Sequence, residues 1–175
     1  DDRPSSFRYP RGSGAGISTS KELNPLEIGK GEIKTQGNNL ALINFGARLE
    51  TCMIVNNNLL KKGIEITVMD AKFAKPLDTT LIDQILDSHE YVITVEEGSV
   101  GGFGSLVLDY IHNKRKKITL SKIQNIAFPD YFVEHDSPEN QYKKIGMDVD
   151  SIEEKIISLI SKKSDIFKDN LYKLK

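Results

Sequence analysis

The sequence predicts an α/β layered fold around a mainly parallel sheet. Two observations carry this. Apolar runs of strand length alternate with longer stretches of helical apolar spacing. The runs LALINFG and YVITV, with the run IEITVMDA between them, are apolar almost throughout, as strands covered on both faces are.

The elements follow in order. GEIKTQG (31–37) reads as a short strand closing in a turn. The tight TQGNN link to the next strand makes the two antiparallel. LALINFG, Leu40 to Gly46, is the next strand. ARLETCMIVNNNLLKKG follows as a helix with Leu49, Met53, Leu59 and Leu60 apolar and Gly63 as its C-terminal cap. IEITVMDA is a strand. KPLDTTLIDQILDSH is a helix with Pro76 near its first turn and Leu81, Ile82, Ile85 and Leu86 on one face. YVITVEE is a strand, GFGSLVLDYIHNK a helix and ITLSKIQNIA a strand. The loop FPDYFVEHDSP leads to ENQYKKIG and the amphipathic SIEEKIISLISKK. Residues 1–30 read as an exposed, Pro-, Gly- and Ser-rich connector, and the tail from Ser164 as charged and fraying.

Composition narrows the classes. The 175 residues suit one domain with an appendage, 38% apolar and 28% charged. A net charge of −1 gives no field that attracts nucleic acid or membranes, and no apolar run reaches membrane-spanning length. The single cysteine, Cys52, excludes an internal disulfide and reads as a buried structural thiol. The start, DDRPSSFRYPRG, lacks an initiator Met and a targeting segment. It reads as a cut from the middle of a longer protein. Lysine outnumbers arginine 19 to 5, as in translations of A/T-rich genomes.

Ligands of open α/β sheets sit beyond the carboxyl ends of parallel strands. Three loops emerge there: Gly46-Ala47, Asp70 to Lys75, and Glu96 to Gly104, carrying Asp70, Lys72, Lys75, Glu96 and Glu97. The stretch EEGSVGGFG raises a phosphate cradle, but Gly98, Gly101, Gly102 and Gly104 are not spaced G-x-G-x-x-G, and no Gly-Lys-Ser/Thr follows. The alternative is a tight strand-to-helix crossover where side chains would clash. Glu96 and Glu97, adjacent on a strand, point to opposite faces and cannot flank one substrate; one of them caps the following helix. His89, His112 and His135 lie far apart with no ligand at metal spacing. HNKRKK is a solvated helix end rather than a nucleic-acid patch. Spacing alone gives no self-contained active site and points to one layer of a composite site.

Several segments in order carry a resemblance: RPSSFRYPRGSGAGI, LEIGKGEI, LALINFG, DAKFAKPLD, ITVEEGSVGGFGS and PDYFVEH. Together they resemble the 1-deoxy-D-xylulose-5-phosphate synthase family, most of all its plastid-type members. KPLD and EEG-GG-G alone fit any transketolase-type C-terminal domain, including that of the pyruvate dehydrogenase β subunit; FRYPRG and PDYFVEH make the resemblance specific. Asp136 stands where the family usually has glycine.

The resemblance implies a three-layer α/β/α domain with a mixed, mostly parallel five-stranded sheet, transketolase C-terminal domain-like. It implies that residues 1–30 are the end of a pyrimidine-binding domain with its connector, 31–163 the C-terminal domain and 164–175 a charged tail. It implies an enzyme, a transferase that joins pyruvate to D-glyceraldehyde 3-phosphate on thiamine diphosphate with Mg²⁺, releasing CO₂, in isoprenoid and thiamine biosynthesis. The cofactor, Mg²⁺ and catalytic groups belong to upstream domains of the same chain, so this piece is expected to be inactive alone and to support interdomain packing and a homodimer. Arg11 of YPRG is the substrate residue, contacting the phosphate of glyceraldehyde 3-phosphate, with Arg8 and Tyr9 in support; a guanidinium fork suits that phosphate. The Gly98–Gly104 crossover then packs against a neighbouring domain or subunit. A plastid or apicoplast location is implied. A freestanding interaction or anion-binding module and a pyruvate dehydrogenase β-type domain are the alternatives.

Overall fold

The computed structural model describes residues 4–6, 9, 25–114 and 122–172, the last eleven for their backbone. The elements are β1 (Glu32–Thr35), β2 (Leu40–Phe45), α1 (Leu49–Lys61), β3 (Thr67–Asp70), α2 (Thr79–Ser88), β4 (Tyr91–Ser99), α3 (Phe103–Lys114), β5 (Ile123–Phe128), α4 (Pro138–Lys144) and α5 (Val149–Tyr172). They form one five-stranded sheet in the order β1-β3-β2-β4-β5. β1 runs antiparallel to β3; β3, β2, β4 and β5 are parallel. Among the described residues no helix is long and apolar enough to cross a membrane.

Strand alternation builds the layers. Leu40 and Leu42 of β2, with Val68, Ile93, Val95 and Ile126, face one core beneath α1 and α5. Ala41 and Ile43, with Met69, Val92 and Ile123, face the other beneath α2 and α3. Because successive side chains point to opposite faces, one apolar run supplies both cores. The result is the three-layer α/β/α sandwich, mixed and mostly parallel, that the resemblance implies.

Several local readings change. β1 is antiparallel, but its neighbour is β3, not β2. The TQGNN turn does not close a hairpin; it steps over the start of β3. The Gly37 N–H donates to Thr67 Oγ1 at 3.0 Å and Asn38 N–H to the Glu65 carbonyl at 3.1 Å. Gly37 lies flat on the Glu65–Ile66 backbone, where a Cβ would collide. The exchange puts apolar β3 inside the sheet and β1, with its Glu32 and Lys34, at the edge, where charge discourages further pairing.

The buried face of α1 is Cys52, Val55, Asn56 and Leu59; Leu60, one residue further round, is 52% exposed. Pro76 lies ahead of α2 rather than in its first turn: the helix begins at Thr79 behind the cap Asp78. β4 continues to Ser99, which pairs with Phe128 across a register shift, so the crossover to α3 shrinks to Val100–Gly102. Gly63 ends α1 with φ +76°, as a capping glycine does. α5 continues as helix past Ser164 to Tyr172.

Candidate functional site at the carboxyl edge of the sheet

From β2 the chain crosses through α1 to β3 on one side; from β3 it crosses through α2 to β4 on the other. The direction of winding reverses between β2 and β4, the switch point where ligands of such sheets collect. The loops carrying the predicted residues meet at this edge.

The glycine-rich turn has a specific occupant. The Glu96 side chain, 4% exposed, turns under it. Its carboxylate accepts the Phe103 and Gly104 N–H groups, each at 2.8 Å. These are unpaired donors of the first turn of α3, at the positive end of its dipole. A Cβ at Gly98 or Gly102 would run into this carboxylate. At Gly104 it would stand 2.6 Å from Thr94 Oγ1 and 2.8 Å from Asn125. The glycines therefore make room for a carboxylate that the chain itself provides. The place a phosphate takes in a nucleotide-binding turn is filled from inside, and Glu96 is the capping member of the pair.

Glu97 points to the opposite face, as alternation requires. There it accepts the Tyr142 hydroxyl from α4. The Arg48 guanidinium lies over that ring, 3.9 Å from its centroid, and donates to the Met147 carbonyl at 3.3 Å. Burial first, and then the Glu97 carboxylate, hold the Tyr142 hydroxyl above its ordinary range. The clasp joins the ends of β2 and β4 to α4 and the start of α5.

Asp70 and Lys72 are likewise engaged. Asp70 Oδ1 accepts the Lys72 N–H at 3.2 Å, and Lys72 takes φ +57° to close that turn. The Lys72 ammonium lies 2.8 Å from Glu32 Oε2, and Lys34 lies 2.9 Å from Oε1. The bond to Lys72, then that to Lys34, pulls the Glu32 carboxyl from its usual range to about 2. Lys75 borders a groove of about 600 Å³ with Leu77, Leu106, Asp109, Tyr110 and Lys114.

The carboxyl edge therefore brings the predicted residues together without making a catalytic pair of them. Each of Asp70, Lys72, Glu96 and Glu97 is committed to a partner within the fold. Among the described residues no group of three His, Cys, Asp or Glu is placed to hold a metal ion. The histidines stay on separate elements. His89 is buried behind α2, its Nδ1 3.0 Å from the Ile85 carbonyl and its Nε2 2.7 Å from Thr67 Oγ1. His112 sits in the last turn of α3, and His135 is exposed in the loop after β5. Cys52 is fully buried, and burial pushes its thiol up to about 12. Arg11 and Arg8 lie outside the described residues, as does the second half of HNKRKK (115–117); Tyr9 is 77% exposed.

Sequence reasoning missed Asp78. Its Oδ1 caps α2 through the Leu81 N–H at 3.0 Å, and its Oδ2 takes the Gly31 N–H at 3.0 Å. This is the physical content of KPLD: the aspartate ties the start of α2 to the chain entering β1. An acidic residue just before TTLI was the available signal.

Comparison with known proteins agrees with this architecture. The transketolase C-terminal domain family matches residues 29–152, more than half of the chain. A split-gene transketolase, described as an inactive beta4 tetramer, has the same fold, with a TM-score of 0.67 at 21% identity over 76% of this chain and 43% of its own. A transketolase from Campylobacter jejuni subsp. jejuni NCTC 11168 gives a TM-score of 0.53 at 16% identity over 74% of this chain and 18% of its own. The chain thus spans less than half the length of either neighbour. With its sheet order, its two cores and its self-capped glycine turn, the chain belongs to the transketolase C-terminal domain family.

Proposed function

We propose that this chain is the C-terminal part of a plastid-type 1-deoxy-D-xylulose-5-phosphate synthase. That enzyme, a transferase, condenses pyruvate with D-glyceraldehyde 3-phosphate on thiamine diphosphate with Mg²⁺ and releases CO₂. The observation that carries the finer reading is the pairing of FRYPRG, ahead of the domain, with PDYFVEH after β5. The remaining motifs belong to the wider family.

In this reading the domain is a structural layer. Enzymes of the transketolase family generally use thiamine diphosphate with a divalent metal, and the cofactor supplies the carbanion chemistry. The groups that hold it are assigned to upstream domains of the same polypeptide, working as a homodimer in a plastid or apicoplast. This chain contributes Arg11, whose guanidinium takes the phosphate of glyceraldehyde 3-phosphate, and a rigid carboxyl edge for interdomain packing.

The test is an assay of CO₂ release from pyruvate with glyceraldehyde 3-phosphate, thiamine diphosphate and Mg²⁺. The full-length protein is expected to turn over and this chain alone to stay at the blank. Turnover by the chain alone, or none by the full-length protein, overturns the reading.

A further inference from the structure

At the amino end of the sheet, opposite the candidate site, α2 ends, β4 begins and the chain steps over the start of β3. His89 sits there, 3% exposed. Its neighbours fix its tautomer. Nδ1 lies 3.0 Å from the Ile85 carbonyl and 2.9 Å from Ser88 Oγ. The Ser88 hydroxyl already gives its hydrogen to the Gln84 carbonyl at 2.6 Å. Both neighbours therefore accept, so Nδ1 carries the proton and Nε2 of the neutral ring is a bare acceptor.

Nε2 meets Thr67 Oγ1 at 2.7 Å. That hydroxyl has one hydrogen to give and two lone pairs to offer. The Gly37 N–H takes one lone pair at 3.0 Å, and Gln36 Nε2 reaches the other at 3.5 Å. The hydrogen has two acceptors within reach, His89 Nε2 and the Gly37 carbonyl at 3.3 Å. With the ring neutral it goes to Nε2, the nearer of the two. With a proton on Nε2, two hydrogens would face each other unless the hydroxyl turns to the Gly37 carbonyl. After that turn every bond still closes. Oγ1 accepts from His89 and from the Gly37 N–H, donates to the Gly37 carbonyl, and has no lone pair left for Gln36.

The surroundings suit a positive ring. His89 is the C-cap of α2, and the negative end of a helix favours a cation. The charged groups on the elements that meet here are Lys34 of β1, Glu65 ahead of β3, Asp87 of α2, Glu90 ahead of β4 and Lys122 ahead of β5. Lys122 donates to the Leu86 carbonyl at 2.8 Å. The bonds of the ring itself all go to neutral groups.

We propose that His89, Thr67 and Gly37 form a proton-switched relay. When the ring takes a proton on Nε2, the Thr67 hydroxyl turns to the Gly37 carbonyl, releases Gln36 and fastens the step of β1 over β3. The relay uses none of the residues of the proposed function and does not rest on it.

The test is nuclear magnetic resonance of the isotope-labelled chain from about pH 8 to about pH 5, the range in which histidine changes charge. At the upper end the His89 ring is expected as the Nδ1–H tautomer. On acidification the Gly37 carbonyl carbon is expected to move downfield as it accepts, and the Gln36 side-chain amide to move to its free position. Both share the midpoint of the His89 ring nitrogens. Thr67→Val removes the hydroxyl and keeps the shape, so the ring still titrates and the Gly37 response is lost; Thr67→Ser restores it. The parent alone decides the tautomer and the shared midpoint, so a valine variant that fails to fold leaves the test intact. An Nε2–H tautomer, or a ring that stays neutral until the fold is lost, overturns the proposal. So does a Gly37 response that follows exposed His135 instead, or that persists in a folded valine variant.

Discussion

At the scale of single residues, Glu96 decides what the glycine-rich turn is. Its carboxylate satisfies two buried N–H donors at the positive end of α3. Glu96→Gln keeps the shape but offers one acceptor oxygen and places an NH₂ against the other donor. Hydrogen bonds to a charged group contribute about 1.5–3 kcal/mol each, so the loss is expected to be roughly 2–4 kcal/mol. Urea unfolding with an unchanged m-value reads it; a difference within about 0.5 kcal/mol would mean the carboxylate is not what holds the turn. Arg11 belongs to this scale too. On the proposed function, replacing it with Ala in the full-length enzyme is expected to raise the KM for glyceraldehyde 3-phosphate about ten- to a hundredfold. The KM for pyruvate, which carries no phosphate, stays put. Arg11→Lys recovers part of the loss, because an ammonium cannot make the bidentate contact. Equal changes in both KM values would make Arg11 a structural residue.

At the scale of elements, the edge strand β1 is fastened by charge. Glu32 receives Lys72 from the loop after β3 and Lys34 from its own strand. Its carboxyl is lowered from 4.5 in the folded chain to about 2. A lowered carboxyl stabilises the fold above the unfolded value, and that contribution fades as pH falls from about 4.5 through about 2. Its side chain is 46% exposed, so screening keeps the contribution below about 1 kcal/mol. Glu32→Gln is therefore expected to flatten the stability profile between those values at low ionic strength. The difference from the parent closes at about 1 M salt, where the screening length is short. A gap that survives high salt would place the effect in packing rather than in the ion pairs. The 600 Å³ groove beside Lys75 lies between elements on the α2–α3 side, apart from this edge.

At the scale of the whole molecule, the carboxyl edge is where internal commitments end and outward surface begins. Asp70, Lys72, Glu96 and Glu97 are all used within the fold, while Val100, Tyr131 and Phe132 are not covered by it. On the proposed function, that contrast suits a layer that presents a shaped face to other parts of the enzyme. The assay of the chain alone acts at this scale.

Much of this was legible in the sequence because it is local. Strand parity is a property of neighbouring residues, so the split of Glu96 and Glu97 onto opposite faces and the two-sided burial of β2 to β4 could be read before any coordinates. Burial of Cys52 and the cap at Gly63 followed from helical spacing in the same way. What tertiary structure alone decided involves partners far apart in the chain. That β3 slides between β1 and β2 depends on Gly37 fitting over Ile66, a contact that periodicity does not encode. The clasp of Arg48, Tyr142 and Glu97 needs three elements to converge, and the exposure of Phe132 depends on every neighbour that could have covered it and does not. Short-range pattern sets which face a residue takes; long-range closure sets what waits there.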